Sequence, residues 1–315
     1  MDVVLLHNPK AGDADRSLED LTQVLRRHGY RPEAVSLNDA LRHTDPLGRG
    51  EFVIVAGGDG SVKRVATALA HRHRPIAPLP LGTANNIATS LGIRGEVDEV
   101  IAGWKNGTRQ KLDLGLARGP WGERHFIEGV GIGLIGRAIA TLDMIDDVSG
   151  KSFGRKQEKL YRDLCVLLTL AHEMPPLHID VQSDGADCSG AYLLLEILNI
   201  SRAGPGFQLA KTATPSDGQL DLVSVRARDR NKLEDSLKLC LRELEHGTIL
   251  DSHTCEHIQL QLSHGELRLD DDIIWPSDGG RNDRAAAGES IEVEINVVPG
   301  AVEMVLPEGA TSGGS

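Results

Sequence analysis

Mainly apolar runs of about strand length recur in the first third of the chain: Val3 to His7, Phe52 to Ala56 and Ile76 to Leu81. Each passes through a turn rich in small residues into polar and apolar positions at helical spacing. Runs of this length and β-branched content predict strands buried on both faces. Leu18, Leu21 and Leu25 share one face of a helix predicted from about Ser17 to His28, and Gly29 ends it. From Val62 the pattern with Val65, Ala66 and Leu69 predicts a second helix, and Ala34 to Ser36 a further strand. Alternating strands and helices imply a parallel sheet with helices on both sides, whose ligands gather at the carboxyl ends of the strands.

After Lys111 the texture changes. Lys111 to Ala117, His125 to Gly129, Leu177 to Gln182, Ala191 to Leu198 and Gln219 to Val225 predict strands separated by turns, hence a mainly antiparallel region. Two helices interrupt it, Lys156 to Glu173 and about Lys232 to His246. The first places Leu160, Leu164, Leu167, Leu168 and Ala171 on one face, a pattern that serves either a core or a surface for a lipid or partner. The chain is therefore expected to be α/β with two domains. Residues 1–111 plus about 299–308 would form an α/β domain with a parallel sheet, 112–298 a β-rich second domain, and 309–315 a disordered tail.

At 315 residues, 40% hydrophobic and 25% charged, the chain is long enough for two buried cores. Its 34 basic and 46 acidic residues give a net charge of −12, which disfavours nucleic-acid binding and a strong pull toward anionic lipid. The amino end has no charged leader region and no apolar run reaches membrane-spanning length, so a cytoplasmic protein is expected. Cys165, Cys188, Cys240 and Cys255 form no C-x-x-C pair and read as reduced, mostly buried thiols. Asp251, His253, Cys255 and His257 fall at every second position, which on one strand would line either a metal site or an ordinary polar face.

Gly57, Gly58 and Gly60 lie where a strand hands over to a helix. Glycine there lets the backbone approach a ligand, and the first N–H groups of the helix carry the positive end of its dipole. The segment Gly57-Gly58-Asp59-Gly60-Ser61 suits phosphate but matches neither common phosphate-loop spacing. Asp59 would repel a bare phosphate, so the partner it suggests is a Mg²⁺-nucleotide, against the alternative of a tight turn capped by Asp59 or Ser61. A third junction, Gly82-Thr83-Ala84-Asn85-Asn86, has Thr83 as a helix cap or a ligand contact, with Asn85 and Asn86 suited to first-turn contacts. Late in the chain comes Asp270-Asp271-Asp272. On extended backbone Asp270 and Asp272 point the same way, and such a pair can raise one pKa and make a base; the alternative is an Asp-rich hairpin tip.

In combination these segments resemble the diacylglycerol kinase catalytic family, which includes sphingosine and ceramide kinases and bacterial lipid kinases. Asn8-Pro9-Lys10-Ala11-Gly12, Gly57 to Ser61 and Gly82 to Asn86 match its N-P-x-x-G, G-G-D-G-T and G-T-x-N-D segments in order. Gly129 to Gly133 and Ser216-Asp217-Gly218-Gln219-Leu220-Asp221 extend the resemblance over most of the chain. It implies an ATP- and Mg²⁺-dependent kinase acting on the hydroxyl of a lipid or lipid-like alcohol. ATP would sit on Asn8, Pro9, Lys10, Ala11, Gly12, Gly57, Gly58, Asp59, Gly60, Ser61, Gly82, Thr83 and Asn85. Asp59 would organise Mg²⁺ and phosphates, while Lys10 is either a phosphate-facing cation or a solvated turn residue. Asp270 and Asp272 match the acids of the family's D-G-E hairpin, which deprotonate the acceptor. Asp217, with Gln219 and Thr214, would hold a structural Mg²⁺, or form a type I turn.

The chain departs from the family pattern at Asp271 for glycine, Asp272 for the longer glutamate, Lys63 and Arg64 for N-E, Asn86 for aspartate and Ser61 for threonine. The competing readings are an NAD kinase, a related group sharing G-G-D-G, and a nucleotide-binding regulator without turnover. No residue pattern selects among diacylglycerol, sphingoid and other acceptors. The reading leaves room for transient membrane-surface contact and for a homodimer.

Overall fold

The computed structural model describes residues 1–8, 17–41, 50–149, 156–243, 250–263, 265–275 and 290–310. The chain divides into two compact units. One holds Met1–Leu114, Thr214–Gly218 and Val298–Ser315, the other Gly115–Ala213 and Gln219–Val297.

The first unit begins β1 (Asp2–His7), α1 (Leu18–Arg27), β2 (Arg31–Ser36), α2 (Leu37–Ala40), β3 (Val53–Gly57), α3 (Asp59–Ala68), β4 (Ile76–Pro80), α4 (Asn86–Ser90) and α5 (Val97–Gly103). It then enters β5 (Thr108–Gly119). Ser17 starts α1 with a reciprocal cap, its hydroxyl accepting from the Asp20 N–H while Asp20 accepts from the Ser17 N–H. The strands pair in parallel in the order β2-β1-β3-β4, and Met304 near the chain's end pairs in parallel with Ile76. Val3 to Leu6 and Phe52 to Ala56 are buried on both faces, as their unbroken apolar runs require. Because β2 and β3 lie on opposite sides of β1, the strand order reverses there. In open α/β sheets such a reversal point, at the carboxyl ends of its strands, is where ligands bind, which directs attention to the ends of β1 and β3.

The second unit continues with β6 (Gly122–Phe126), β7 (Gly129–Gly133), α6 (Leu134–Ser149), α7 (Lys156–Glu173), β8 (Leu177–Ser183), β9 (Ala186–Asp187) and β10 (Gly190–Leu198). After the short β11 (Arg202–Ala203) and β12 (Phe207–Gln208) come β13 (Leu220–Arg226), α8 (Arg230–Glu243), β14 (Ser252–Cys255), β15 (His257–Leu262), β16 (Leu267–Leu269) and β17 (Asp272–Trp275). The last strand, β18 (Ile291–Leu306), contributes its first half here and its second half to the other unit. In this unit β17-β16-β7-β10-β8-β15-β18 are neighbours in antiparallel pairs. The chain is thus α/β, a parallel first part followed by an antiparallel β-rich part, as its hydrophobic pattern predicts.

Leu164, Leu167 and Ala171 of α7 are buried against Leu134 and Ile135 of α6 and Leu233 and Leu237 of α8, so the apolar face of α7 belongs to the core. Helix α6, like α2, α5 and β15, is an element that the sequence reading does not predict. It follows the glycine-rich β7 directly, and its first turn, Leu134-Ile135-Gly136, lacks the capping side chain that marks a helix start. Asp251, His253, Cys255 and His257 do not lie along one strand, because Asp251 precedes β14 and the chain bends at Glu256 before β15, and no metal cluster forms there among the described residues. Asp251 and His253 are exposed, whereas Cys255 is buried and its thiol, pushed up by desolvation to about 12, stays protonated. All four cysteines are free; Cys240 and Cys255 are buried, Cys165 and Cys188 half-buried. No helix among the described residues is long and apolar enough to cross a membrane. Of the expected tail, Gly309 and Ala310 complete a turn closed by the Ala310 N–H on the Pro307 carbonyl; 311–315 lie outside the described residues.

Candidate active site

Three strand ends of the first unit carry the candidate phosphate-binding residues. Asn8, just after β1, donates from its backbone N–H to the Ala56 carbonyl at 3.0 Å and from Nδ2 to Ser61 Oγ at 3.0 Å. Ser61 is buried in the first turn of α3, so this pair ties the end of β1 to the glycine loop after β3. Pro9, Lys10, Ala11 and Gly12 lie outside the described residues. Gly57 has no room for a side chain, since a Cβ there would stand 2.6 Å from Ser61 Oγ. Gly58 is the N-cap of α3, with no side chain capping it, so neither Asp59 nor Ser61 takes that role.

The carboxylate of Asp59 instead spans to the next junction. Its Oδ2 accepts from the Asn86 N–H at 2.9 Å and its Oδ1 from the Ile87 N–H at 2.9 Å, so it caps α4 from another helix. Thr83 is exposed and is not the cap; the N-cap position belongs to Asn85, at φ 52° in the left-handed region. The Asn85 amide folds back on its own loop, accepting from the Gly82 N–H at 2.9 Å and donating to the Gly82 carbonyl at 2.7 Å. Gly58 and Gly82 touch backbone to backbone, for a Cβ on Gly82 would lie 2.5 Å from the Gly58 Cα. The two glycine junctions are therefore one rigid platform at the carboxyl ends of β3 and β4, with Gly60 in the first turn of α3. Asp59 and Asn85 are the side chains that build it.

The acidic run of the second unit departs from the extended backbone that would align Asp270 with Asp272. Asp270 sits at φ 55° in the turn between β16 and β17, and it is 2% exposed. Its Oδ1 accepts from the N–H groups of Ile127 (3.2 Å), Glu128 (2.8 Å) and Gly129 (3.2 Å), and its own N–H donates to the Gly129 carbonyl at 2.8 Å. Such a carboxylate is engaged in holding backbone. Asp271 and Asp272, in contrast, are exposed. Electrostatically the tip adjoins α6: burial first, then the charges of Asp146, Asp147 and Asp271, push the Asp143 carboxyl up.

The loop Thr214–Gly218 belongs to the first unit, fixed there by a residue that sequence reasoning missed. Asp113, 3% exposed on β5, accepts from the Gly218 N–H at 2.8 Å and the Gly300 N–H at 2.7 Å. Its single sequence signal is a lone carboxylate between Leu112 and Leu114. Asp217 is exposed at the tip of this loop, and Thr214 and Gln219 are half-buried. No three His, Cys, Asp or Glu side chains cluster as a metal site among the described residues. A cation bound by Asp217 or Asp59 would therefore draw on single carboxylates, carbonyls and water, a donor set that suits Mg²⁺.

A glycine platform on a parallel sheet, with a β-rich antiparallel unit in the same chain, defines a two-unit α/β protein with a candidate phosphate-binding edge. Residues 2–117 match the family model described as diacylglycerol kinase catalytic domain, and 155–306 that of the YegS C-terminal NAD kinase beta sandwich-like domain. Two proteins named "Probable lipid kinase YegS", from Salmonella dublin and Salmonella choleraesuis, are each 29% identical over 96% of this chain and 95% of their own. A solved diacylglycerol kinase from Bacillus anthracis str. Sterne shares the fold at a TM-score of 0.68 and 18% identity, covering 98% of this chain and 97% of that one. The chain belongs to the diacylglycerol kinase catalytic-domain family and is a lipid kinase.

Proposed function

We propose that the protein transfers the γ-phosphate of ATP to a hydroxyl of a lipid or lipid-like alcohol of the diacylglycerol or sphingoid type. The observation that carries the nucleotide side is the Asp59 bridge, which sets two glycine junctions beside the sheet's reversal point. Gly57, Gly58, Gly60, Ser61, Gly82, Thr83 and Asn8 would frame the phosphates, with Asn85 holding its loop in shape. Mg²⁺, when bound, would neutralise charge on the phosphates, and Asp59 would meet it through water as a hard oxygen donor. On the acceptor side the exposed Asp272 would take the hydroxyl proton as the new O–P bond forms and the bond to ADP breaks. Asp270 would act by holding the turn. Asp217, with Gln219 and Thr214, would hold a second, structural cation.

Incubation with labelled ATP, Mg²⁺ and a total lipid extract is expected to place label in a lipid product. Label in NAD instead, or ATP binding with no transfer to any lipid, would overturn the reading. Asp272→Ala is expected to lower kcat by about 10²-fold or more while ATP affinity stays within about threefold. A Gly82→Ala variant tests the platform alone. Its methyl group meets backbone at 2.5 Å and no side-chain rotation can relieve it, so ATP binding by calorimetry should weaken about tenfold or more.

A further inference from the structure

Within the otherwise apolar β10 run Leu193-Leu194-Leu195-Glu196-Ile197-Leu198, one residue is charged, and it is completely buried. Register explains how that is tolerated. Glu196 on β10 stands opposite Gly131 on β7, and Gly131 opposite Arg268 on β16, so the three form one row across three strands. Outer strands of such a trio run about 10 Å apart, and a side chain on the middle residue normally separates their neighbours. Gly131 has none. A Cβ there would lie 2.2 Å from Glu196 Oε2 and 2.3 Å from Oε1, which means the carboxylate lies directly over the glycine. It meets Arg268 there, through Nη2 on Oε2 and Nε on Oε1 at 3.4 Å, with both side chains 0% exposed.

The guanidinium has a second engagement. Arg268 Nη1 donates to the backbone carbonyl of Asp270. The N–H of Asp270 is held by Gly129 and its carboxylate by residues 127–129, so each polar group of this left-handed turn residue is held. Asp271 and Asp272 follow it in the chain, with Asp272 paired to Leu269. A buried ion pair is a poor way to gain stability, because apolar residues of similar volume usually serve as well or better. What apolar residues cannot supply is a donor to the Asp270 carbonyl.

We propose that Glu196 and Arg268, meeting over Gly131, are positioning residues that set the turn from which Asp272 reaches the acceptor hydroxyl. This rests on the reading of Asp272 as the acceptor-side carboxylate. A displacement of about 1 Å at such a group can lower a rate about a hundredfold.

The test measures kcat, KM for ATP and melting temperature in the lipid-labelling assay for four variants. Glu196→Leu/Arg268→Met is expected to melt within about 5 °C of the wild type, with kcat lowered about 10- to 100-fold and KM for ATP unchanged. Arg268→Lys keeps the charge but cannot reach Glu196 and Asp270 together; it should lose about fivefold or more in kcat, and it decides the matter if the double variant does not fold. Arg268→Lys/Asp272→Ala should be no slower than Asp272→Ala alone, since the first residue acts through the second. Wild-type kcat in a folded Arg268 variant, or a loss that multiplies with that of Asp272→Ala, would overturn the proposal while leaving the role of Asp272 intact. If Asp272→Ala itself turns over normally, the reading of the hairpin fails and the positioning role fails with it.

Discussion

Asp59→Ala is expected to lower kcat for lipid phosphorylation about 10³-fold. The substitution removes the acceptor for two backbone N–H groups at the start of α4, each at 2.9 Å. Hydrogen bonds to a charged partner contribute about 1.5–3 kcal/mol each, more than enough to release a five-residue helix that has no other side-chain cap. The Gly82 loop would then lose its fixed contact with Gly58, and whatever the two junctions bind would lose its alignment. Misalignment acts on the reacting geometry, so kcat should fall by more than ATP affinity does. Asp59→Asn separates shape from charge. Its amide has the same volume but offers one acceptor and a donor where two acceptors are needed, so an intermediate loss of about 10- to 100-fold is expected. Initial rates with labelled ATP and calorimetric ATP affinities measure both effects. A near-wild-type kcat in Asp59→Ala would remove the bridge from the mechanism.

What could be read from the residues alone follows from what periodicity encodes. The strands β1, β3 and β4 are visible because burial on both faces requires an unbroken apolar run, and α1 because Ser17 and Gly29 bracket its apolar face. Helix α6 is hidden because it grows out of a glycine-rich strand with no cap. Side-chain engagement is less legible than backbone type. Asn85, suited by type to first-turn contacts, turns its amide onto Gly82 of its own loop, and the helix that Thr83 is one candidate to cap is capped by Asp59 from 27 positions away. Asp113 grips glycine amides 105 and 187 positions distant, a relation no local pattern carries. The Asp270 and Asp272 alignment assumed a strand through both residues, and a left-handed turn at Asp270 cancels the alternation. Glu196 and Arg268 did leave a trace: a lone charge in each of two apolar strands, with Gly-x-Gly between them in space.

Asp270→Ala should destabilise the fold, in contrast to Asp272→Ala two positions on. Three buried backbone donors, those of Ile127, Glu128 and Gly129, depend on the Asp270 carboxylate. A buried donor left unsatisfied costs about 1–3 kcal/mol, and alanine at φ 55° adds about 1 kcal/mol of backbone strain that aspartate tolerates better. Allowing for non-additivity, the loss is about 3–6 kcal/mol, a large part of the 5–15 kcal/mol typical of a folded protein. The melting temperature should drop by about 10 °C or more. Asp270→Asn, which suits the left-handed turn and keeps one carbonyl acceptor, should recover part of that. Asp272 is exposed, so its alanine variant should melt within about 2 °C of the wild type while losing turnover. Thermal denaturation beside initial rates therefore sorts the two carboxylates. Equal melting temperatures for wild type and Asp270→Ala would mean that the three-amide grip does not hold in solution, and the hairpin would need another anchor.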